Sequence, residues 1–386
     1  MYNVQTLNKI SAVGLGKLGE GYTYGDNVEN PDAILVRSAS MHDMEMPASL
    51  LAIARAGAGV NNIPLDKCSE QGIVVFNTPG ANANAVKELV LAGLLLSSRK
   101  IVAGIEWAKT LKGNGDAVGK MVEKGKSKFA GHEIKGKTLG VIGLGAIGAL
   151  VANAAIALGM DVIGYDPFLS VDGALQLSRH ITHVTNLDEI FANSDYITVH
   201  VPLTPDTKNI ICADNIAKMK DGVRILNYSR ADLCNSADVV AGIQSGKISS
   251  YVTDFATDDL LGVDGVIAMP HLGASTPESE DNCAEMAAKE IKDYLENGNI
   301  TNSVNFPAAK MARTGDVRYC VLHKNVPSIL QTILSFVSEQ GANIENMENK
   351  SRKDYAYTII DVTGATSDLT SKIQDVEGVI RVRVLK

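Results

Sequence analysis

The chain has 386 residues, of which 45% are hydrophobic and 21% are charged, and its formal net charge at pH 7 is -8. This length predicts about two or three folded domains, and the acidic balance disfavours binding to nucleic acid or to an anionic membrane surface. No apolar run is long enough to span a bilayer and the first residues lack the features of a secretory signal, so we expect a cytoplasmic protein.

The first part of the chain, from residue 3 to about residue 96, alternates short apolar runs with helix-like segments. Ala33–Val36 and Ile73–Phe76 are typical of buried strands and Ala85–Leu96 is typical of a helix, which together predict a parallel α/β unit. Residues 109–137 are rich in glycine and lysine. We interpret them as a solvated connection rather than a nucleic-acid patch, because Phe129 is their one aromatic residue.

A second α/β series begins at Thr138–Ile142 and continues through apolar runs at 161–165, 196–199, 223–226 and 265–268. This spacing is typical of a doubly wound parallel sheet. Pro277 then opens a long helix that we expect to end at Asn297. From Val317 to Lys386 the order strand, helix, strand, strand, helix, strand predicts a separate ferredoxin-like domain. The five scattered cysteines form no metal-binding motif, and we expect buried free thiols and no metal site.

The glycine pattern GxGxxG occurs twice, and only the second copy has the context of a dinucleotide site. That copy follows a buried strand and opens a strong helix, and the next strand ends in an acid that can accept the ribose hydroxyls. The first copy, Gly14–Gly19, precedes no helical pattern, and we interpret it as a turn. An acid at the ribose would repel a 2′-phosphate, so we expect NAD rather than NADP. The predicted cofactor residues of this segment are Gly143, Gly145, Ala146, Ile147, Gly148 and Asp166.

Three further polar groups, Arg230, Asp259 and His271, lie at or beyond the carboxyl ends of predicted strands, where ligands bind in open α/β sheets. A histidine can take the hydroxyl proton of a secondary alcohol while hydride leaves, a neighbouring carboxylate can fix its tautomer, and an arginine can grip a substrate carboxylate. Each residue alone also fits a structural role, as an ion pair, a turn acid or a loop histidine. Their joint placement after a nucleotide fold favours a dehydrogenase of 2-hydroxy acids.

These motifs resemble those of the D-2-hydroxyacid dehydrogenase family over essentially the whole chain. The resemblance implies that Arg230 binds the substrate carboxylate and C2 oxygen, that His271 is the acid/base, and that Asp259 pairs with His271. The family usually has the longer Glu at position 259, so Asp258 is a second candidate, although the spacing from Asp254 favours Asp259. The resemblance also implies a discontinuous substrate-binding domain, residues 1–97 and 278–308, around an NAD-binding domain, residues 98–277. The expected fold is therefore two Rossmann-like doubly wound domains plus the ferredoxin-like one.

The same resemblance completes the cofactor and substrate sites. It implies that Asp254 contacts the nicotinamide amide and that His200, Pro202 and Thr204 line the adenine side. Ser229 is a further predicted cofactor residue. The substrate residues would be Arg37, Ser38, Gly59, Asn82 and Arg230. Arg37 and Ser38 can share a phosphate dianion, so the implied reaction is oxidation of 3-phospho-D-glycerate to 3-phosphohydroxypyruvate, which starts the phosphorylated route to L-serine. Ala39 stands where some relatives carry a second arginine.

Residues 316–386 resemble an ACT domain, an amino-acid-binding regulatory module. The resemblance implies that His323, Asn325 and Asn343 bind L-serine between paired domains of a homo-oligomer, a dimer or a tetramer. Ser328 stands where such domains usually have glycine, which leaves open a role in assembly alone. Two other functions also stay open: the same chemistry on lactate, glyoxylate, hydroxypyruvate or 4-phosphoerythronate, and a non-catalytic NAD sensor similar to the corepressors of this fold.

Overall fold

The computed structural model of the protein describes residues 1–365 and 368–386. Its strands are β1 (Tyr2–Leu7), β2 (Tyr22–Gly25), β3 (Ala33–Val36), β4 (Ala52–Arg55), β5 (Val74–Asn77), β6 (Thr138–Ile142), β7 (Asp161–Tyr165), β8 (Ile181–Val184), β9 (Tyr196–Val199), β10 (Val223–Asn227), β11 (Ile248–Thr253), β12 (Val266–Ala268), β13 (Val317–Lys324), β14 (Asn343–Arg352), β15 (Tyr355–Thr363) and β16 (Val379–Leu385). Its α-helices are α1 (Ala12–Leu15), α2 (Leu65–Glu70), α3 (Ala83–Ser98), α4 (Ile101–Lys109), α5 (Val118–Gly125), α6 (Ala146–Ala157), α7 (Val171–Leu175), α8 (Leu187–Asn193), α9 (Ala213–Lys218), α10 (Ser236–Gln244), α11 (Pro277–Asn297), α12 (Ile329–Glu339) and α13 (Thr370–Gln374).

Residue contacts divide the chain into two compact units, residues 1–82 with 277–386 and residues 83–276. This division differs from the sequence-based domains in two respects. Helix α3 belongs to the second unit rather than the first, because Val86, Val90 and Leu94 share a core with Leu139 and Val141. The ferredoxin-like domain belongs to the first unit rather than standing apart, because its apolar residues share a core with the first sheet and with α11.

The first unit contains a parallel sheet with the strand order β2-β1-β3-β4-β5, one of the doubly wound orders. Its central strands β3 and β4 are almost wholly buried, as continuous apolar runs predict for parallel strands covered on both faces. The first glycine motif lies in and just beyond α1, where a Cβ at Gly14 would stand 2.4 Å from the carbonyl carbon of Ala284 on α11. Gly14 therefore allows two helices to pack closely.

The second unit contains a parallel sheet with the order β12-β11-β10-β9-β6-β7-β8, which is the Rossmann order extended by one strand. The doubly wound sheet predicted from the apolar runs is confirmed. Residues 109–137, predicted to be a solvated connection, include α5, and none of the residues of α5 is buried.

The C-terminal sheet is antiparallel with the order β14-β15-β13-β16, which confirms the ferredoxin-like fold. Two arginine side chains of this sheet donate hydrogen bonds to carbonyl groups at the C-terminal end of α11. The last carbonyl groups of a helix lack N–H partners within the helix. Arg318, paired with Asp361 at 2.6 Å inside the core, donates to the Asn297 carbonyl at 2.7 Å. Arg383 donates to the Tyr294 and Leu295 carbonyls at 3.1 and 2.8 Å. The sheet thus closes the C-terminal end of α11.

The five cysteines are free thiols, buried except for the half-buried Cys212, as expected. Within the described ranges, no helix combines the length and the apolar character required to cross a membrane.

Candidate active site

The second glycine motif forms the turn between β6 and α6. Gly143 has a φ of +93°, and a Cβ at Gly148 would stand 1.9 Å from the Gly143 carbonyl oxygen, so this turn requires glycine at both positions. At Gly145, by contrast, a Cβ would meet no atom within 4 Å. Gly145 is the N-cap of α6 and provides no side-chain hydrogen bond, so the first N–H groups of the helix face open space. This geometry suits a pyrophosphate group.

Asp166, one residue beyond β7, lies beside this turn. Its Oδ2 accepts a hydrogen bond from the Leu144 N–H and its Oδ1 accepts one from the Phe168 N–H, each at 2.9 Å. Asp166 also lines a cleft of about 480 Å³ together with Tyr165, Pro167 and His183. The acid predicted to bind ribose thus lies next to the predicted phosphate site, at the edge of a cleft that can hold a nucleoside.

Arg230, Asp254 and His271 follow β10, β11 and β12, which are neighbours in the sheet. The strands are parallel, so their carboxyl ends lie along one edge. Hydrogen bonds connect the loops there: the Asn227 side chain donates to the Arg230 carbonyl at 2.8 Å, and Thr253 Oγ1 donates to the Asn227 carbonyl at 2.9 Å. The sheet thereby brings a guanidinium, a carboxyl and an imidazole to the same edge.

Asp254 is the buried acid of this edge, with 1% of its surface exposed. Its Oδ2 accepts a hydrogen bond from the Gly273 N–H at 3.0 Å, whereas its Oδ1 is buried without a hydrogen-bond partner. Burial raises the pKa of this carboxyl, against the opposing effects of the Gly273 N–H and His271. His271 is exposed, and its ring centroid lies 5.0 Å from that of Phe255.

The two candidate acids for His271 remain apart from it. Asp259 accepts a hydrogen bond from the hydroxyl of Thr257, and both Asp258 and Asp259 are exposed. In the described part of the chain, His271 forms no ion pair with either of them. The pairing of Asp259 with His271 therefore stays a prediction.

On the predicted adenine side, His200 has a ring nitrogen without a hydrogen-bond partner. Its Nε2 lies 2.9 Å from Thr198 Oγ1, and its Nδ1 is buried without a partner. Burial lowers the pKa of His200 to about 4, so this imidazole is neutral near pH 7. Ser229 Oγ donates to the Val201 carbonyl at 2.9 Å, and the N–H of Thr204 donates to a neighbouring threonine. Pro202 is exposed.

These residues fit NAD on three structural grounds. The N-terminus of α6 offers N–H groups to a pyrophosphate, Asp166 offers a carboxylate for ribose, and the unpaired Asp254 Oδ1 can accept a hydrogen bond from a carboxamide.

In the first unit, the predicted phosphate ligand Arg37 lies just beyond β3 and forms an ion pair with Glu280 at 2.8 Å, both side chains being about two-fifths exposed.

The remaining substrate residues lie in loops of the first unit. The N–H of Ser38 donates to Asn8 Oδ1 at 3.0 Å, and Gly59 and Asn82 are half-buried. Arg55, the first residue of a segment whose sequence resembles the substrate loop of the family, ends β4 beside β3, and its Nε donates to the Arg37 carbonyl at 3.0 Å.

The predicted effector residues do not form one cluster within a single chain. His323 lies opposite Ala356 and Asn343 lies opposite Thr363, so they sit at opposite ends of β15, about 23 Å apart at the usual rise of a strand. The His323 ring nitrogens lie within hydrogen-bond distance of Lys324 O and Thr358 Oγ1, and Asn325 Nδ2 donates to the carbonyl of Lys353. Ser328 has a φ of +69°, which explains why glycine is favoured at its position.

The Rossmann order, the glycine turn and the acid beyond the second strand are those of a dinucleotide-binding domain. Residues 91–273 match the family described as "D-isomer specific 2-hydroxyacid dehydrogenase, NAD binding domain". The D-3-phosphoglycerate dehydrogenase of Haemophilus influenzae is 31% identical over 359 residues, 89% of this chain and 83% of that protein. The chain therefore belongs to the D-isomer specific 2-hydroxyacid dehydrogenase family, and its cofactor is NAD.

Two further proteins show how far the similarity extends. The D-3-phosphoglycerate dehydrogenase of Methanocaldococcus jannaschii is 34% identical over 319 residues, 80% of this chain, but the chain spans only 58% of the length of that relative. The crystal structure of NAD+-bound 3-phosphoglycerate dehydrogenase from Entamoeba histolytica matches with a TM-score of 0.61 and 25% identity, covering 79% of this chain and 98% of that one.

Proposed function

We propose that the protein is an NAD-dependent dehydrogenase that oxidises 3-phospho-D-glycerate to 3-phosphohydroxypyruvate, the first step of the phosphorylated route to L-serine. The observation that carries the proposal is that Arg230, Asp254 and His271 follow β10, β11 and β12, parallel neighbours whose carboxyl ends lie along one edge of the sheet. Relatives named D-3-phosphoglycerate dehydrogenase support the choice of substrate. Arg37 and Arg55, at the ends of adjacent strands, supply guanidinium groups for a phosphate dianion.

In this proposal each residue has a distinct task. Arg230 holds the substrate carboxylate in a two-pronged hydrogen bond, and His271 takes the proton from the C2 hydroxyl. Asp259 orients the histidine after its loop moves, and Asp254 accepts a hydrogen bond from the carboxamide of the cofactor. Bound NAD supplies the hydride acceptor. Arg37 exchanges Glu280 for the substrate phosphate, and the exchange is easy because an exposed ion pair contributes only about 0–1 kcal/mol.

Assembly and regulation belong to the same proposal. Because His323 and Asn343 lie at opposite ends of β15, an L-serine site that uses both needs a second copy of the domain beside the exposed edge strand β14. We therefore propose a homo-oligomer in which paired ACT domains bind L-serine. The domain limits and the cytoplasmic location expected from the sequence remain part of this proposal.

The test is NADH formation from 3-phospho-D-glycerate, compared with D-lactate, glycolate, D-glycerate and 4-phosphoerythronate, with and without L-serine. His271→Ala should lower turnover by about 10²-fold or more while NADH still binds, the loss expected for a general acid/base. His180→Ala, an exposed histidine of the same unit, should leave turnover unchanged. Arg230→Lys should also be strongly impaired, because an ammonium group lacks the planar fork.

Two results of this assay would each support a different function. Ala39, which leaves Arg37 without a second arginine two residues on, and the existing Arg37–Glu280 pair favour a non-phosphorylated acid as the second candidate. A higher kcat/KM for D-lactate, glycolate or D-glycerate would establish that candidate, and a higher value for 4-phosphoerythronate would identify that phosphorylated acid as the substrate. NADH binding without turnover of any acid would instead favour the NAD-sensing function.

A further inference from the structure

A polar cleft of about 520 Å³ in the first unit has no place in the proposed reaction. One wall is a face of α11 that carries Glu285, Lys289, Glu290 and Asp293, and the other walls come from the loop after β5 and from the segment that follows α11. None of the residues predicted to bind cofactor, substrate or effector lines it. The cleft therefore presents a set of charged groups that the dehydrogenase chemistry leaves unused.

Glu290 is the unusual member of this set, because 5% of its surface is exposed. Its Oε1 accepts a hydrogen bond from Asn302 Nδ2 at 2.6 Å, but its Oε2 is buried without any partner. A buried carboxyl with an unmade hydrogen bond destabilises a fold, and leucine at this helical position would avoid that penalty. Packing alone does not account for glutamate here.

The two other carboxylates of the cleft differ in their partners: lysines neutralise Glu285, whereas no cation pairs with Asp293 among the described residues. Glu285 lies 3.1 Å from the ammonium of Lys289 and 3.5 Å from that of Lys17, so it is already paired. Asp293 accepts hydrogen bonds only from two neutral asparagine amides, each at 2.9 Å. Lys310 is the remaining cation of the lining, and among the described residues it forms no ion pair with Glu290 or Asp293.

We propose that this cleft binds a small ligand with a primary ammonium group, which donates to Glu290 Oε2 and to Asp293. The two acids are three residues apart on α11, so their side chains leave the helix on the same face and one ammonium can reach both. Its third N–H can be accepted by the hydroxyl of Thr301, which also lines the cleft. A compact cation supplies the hydrogen bond that Oε2 lacks and gives Asp293 a positively charged partner.

Binding of an ammonium group should be coupled to release of a proton from Glu290, which a purely structural Glu290 would not show. Burial raises the pKa of Glu290 to about 8, and the charged groups that line the cleft around it are Glu285, Lys289 and Asp293 on its own helix and Lys310 from the following segment. At pH 7 Glu290 is therefore mostly protonated in the free protein. Binding of an ammonium group favours the carboxylate, and that proton passes to the buffer.

Isothermal titration of the full chain with ethanolamine tests the proposal, with ethylene glycol as a neutral probe of similar size. The titrations are run at pH 7 in HEPES and in cacodylate, which lack a primary ammonium group. We expect ethanolamine to bind once per chain with release of close to one proton, read from the difference between the two buffers, and ethylene glycol not to bind. Because both walls belong to the first unit and the readout is binding, failure of 3-phosphoglycerate oxidation would leave this result unaffected.

Two variants locate the site. Glu290→Gln should weaken ethanolamine binding by about tenfold or more, the loss of one charge-assisted hydrogen bond, and abolish proton release. Glu296→Gln, on the same helix but outside the cleft, should keep both. Absence of ethanolamine binding, equal binding of ethylene glycol, or undiminished binding by Glu290→Gln would each overturn the proposal. Glu290→Gln is expected to fold more stably than the parent protein, so lost binding cannot be attributed to unfolding.

Discussion

Replacing Glu290 by glutamine should stabilise the first unit near neutral pH. The carboxyl keeps its proton in the folded protein up to a pKa of about 8, whereas in the unfolded chain its pKa is 4.5. The contribution of Glu290 to the free energy of unfolding is therefore fully present below pH 4.5. It is lost progressively as the pH rises from there to the folded pKa, because the unfolded chain releases its proton first.

The size of the effect follows from these two values. A pH of 7 is about 2.5 units above the pKa of the carboxyl in the unfolded chain. At about 1.4 kcal/mol per unit, the free energy of unfolding of the parent protein is about 3 kcal/mol lower at pH 7 than at low pH. Glutamine does not titrate and removes this loss. Because 5% of the side chain is exposed, solvent screening reduces the effect little.

Urea denaturation of both proteins at pH 4.5, 5.5, 6.5 and 7.5 measures the difference in the free energy of unfolding. We expect a difference close to zero at pH 4.5 that grows to about 3 kcal/mol in favour of Glu290→Gln at pH 7. Glu296→Gln, a less buried acid of the same helix, should show no comparable growth with pH. A difference that stays constant across the pH range, or a glutamine variant that is less stable at pH 7, would refute the reasoning.

Three further predictions concern other parts of the molecule. Arg318→Met leaves the Asp361 carboxylate buried and unpaired, so it should destabilise the protein by about 3–5 kcal/mol in urea denaturation, whereas the double replacement with Asp361→Leu should recover much of the loss. Ser328→Gly relieves a left-handed backbone and should raise stability by up to about 1 kcal/mol in the same assay. Asp166→Ala should lower the ratio of NADH to NADPH affinity by about tenfold in fluorescence titrations, because the repulsion of a 2′-phosphate and the ribose hydrogen bonds are both lost.

Matched variants check each of these outcomes. Arg352→Met removes an exposed arginine with one carbonyl contact and should change stability by less than about 1 kcal/mol. Ser335→Gly places glycine inside α12 and should destabilise by up to about 1 kcal/mol, opposite in sign to Ser328→Gly. Asp172→Ala, on α7, should leave the cofactor preference unchanged. Equal effects in a variant and its control would contradict the corresponding argument.

The sequence by itself determined those parts of the protein that depend on neighbours along the chain. The dinucleotide turn could be predicted because strand, glycines, helix and Asp166 all belong to one βαβ unit, where spacing decides geometry. The same holds for the ferredoxin-like domain and for the placement of Arg230 and His271 after strands, since the carboxyl ends of parallel strands share one edge of a sheet.

Only the tertiary structure decided which distant groups meet and how deeply they are buried. A polar residue on a long helix is expected to be exposed, yet Glu290 is enclosed by segments that the fold brings against α11. Arg318 meets Asp361 because β13 pairs with β15, and α3 joins the second unit because its apolar face packs against the core around β6. Burial and partner choice are sums over long-range contacts, and residue spacing along a chain does not encode them locally.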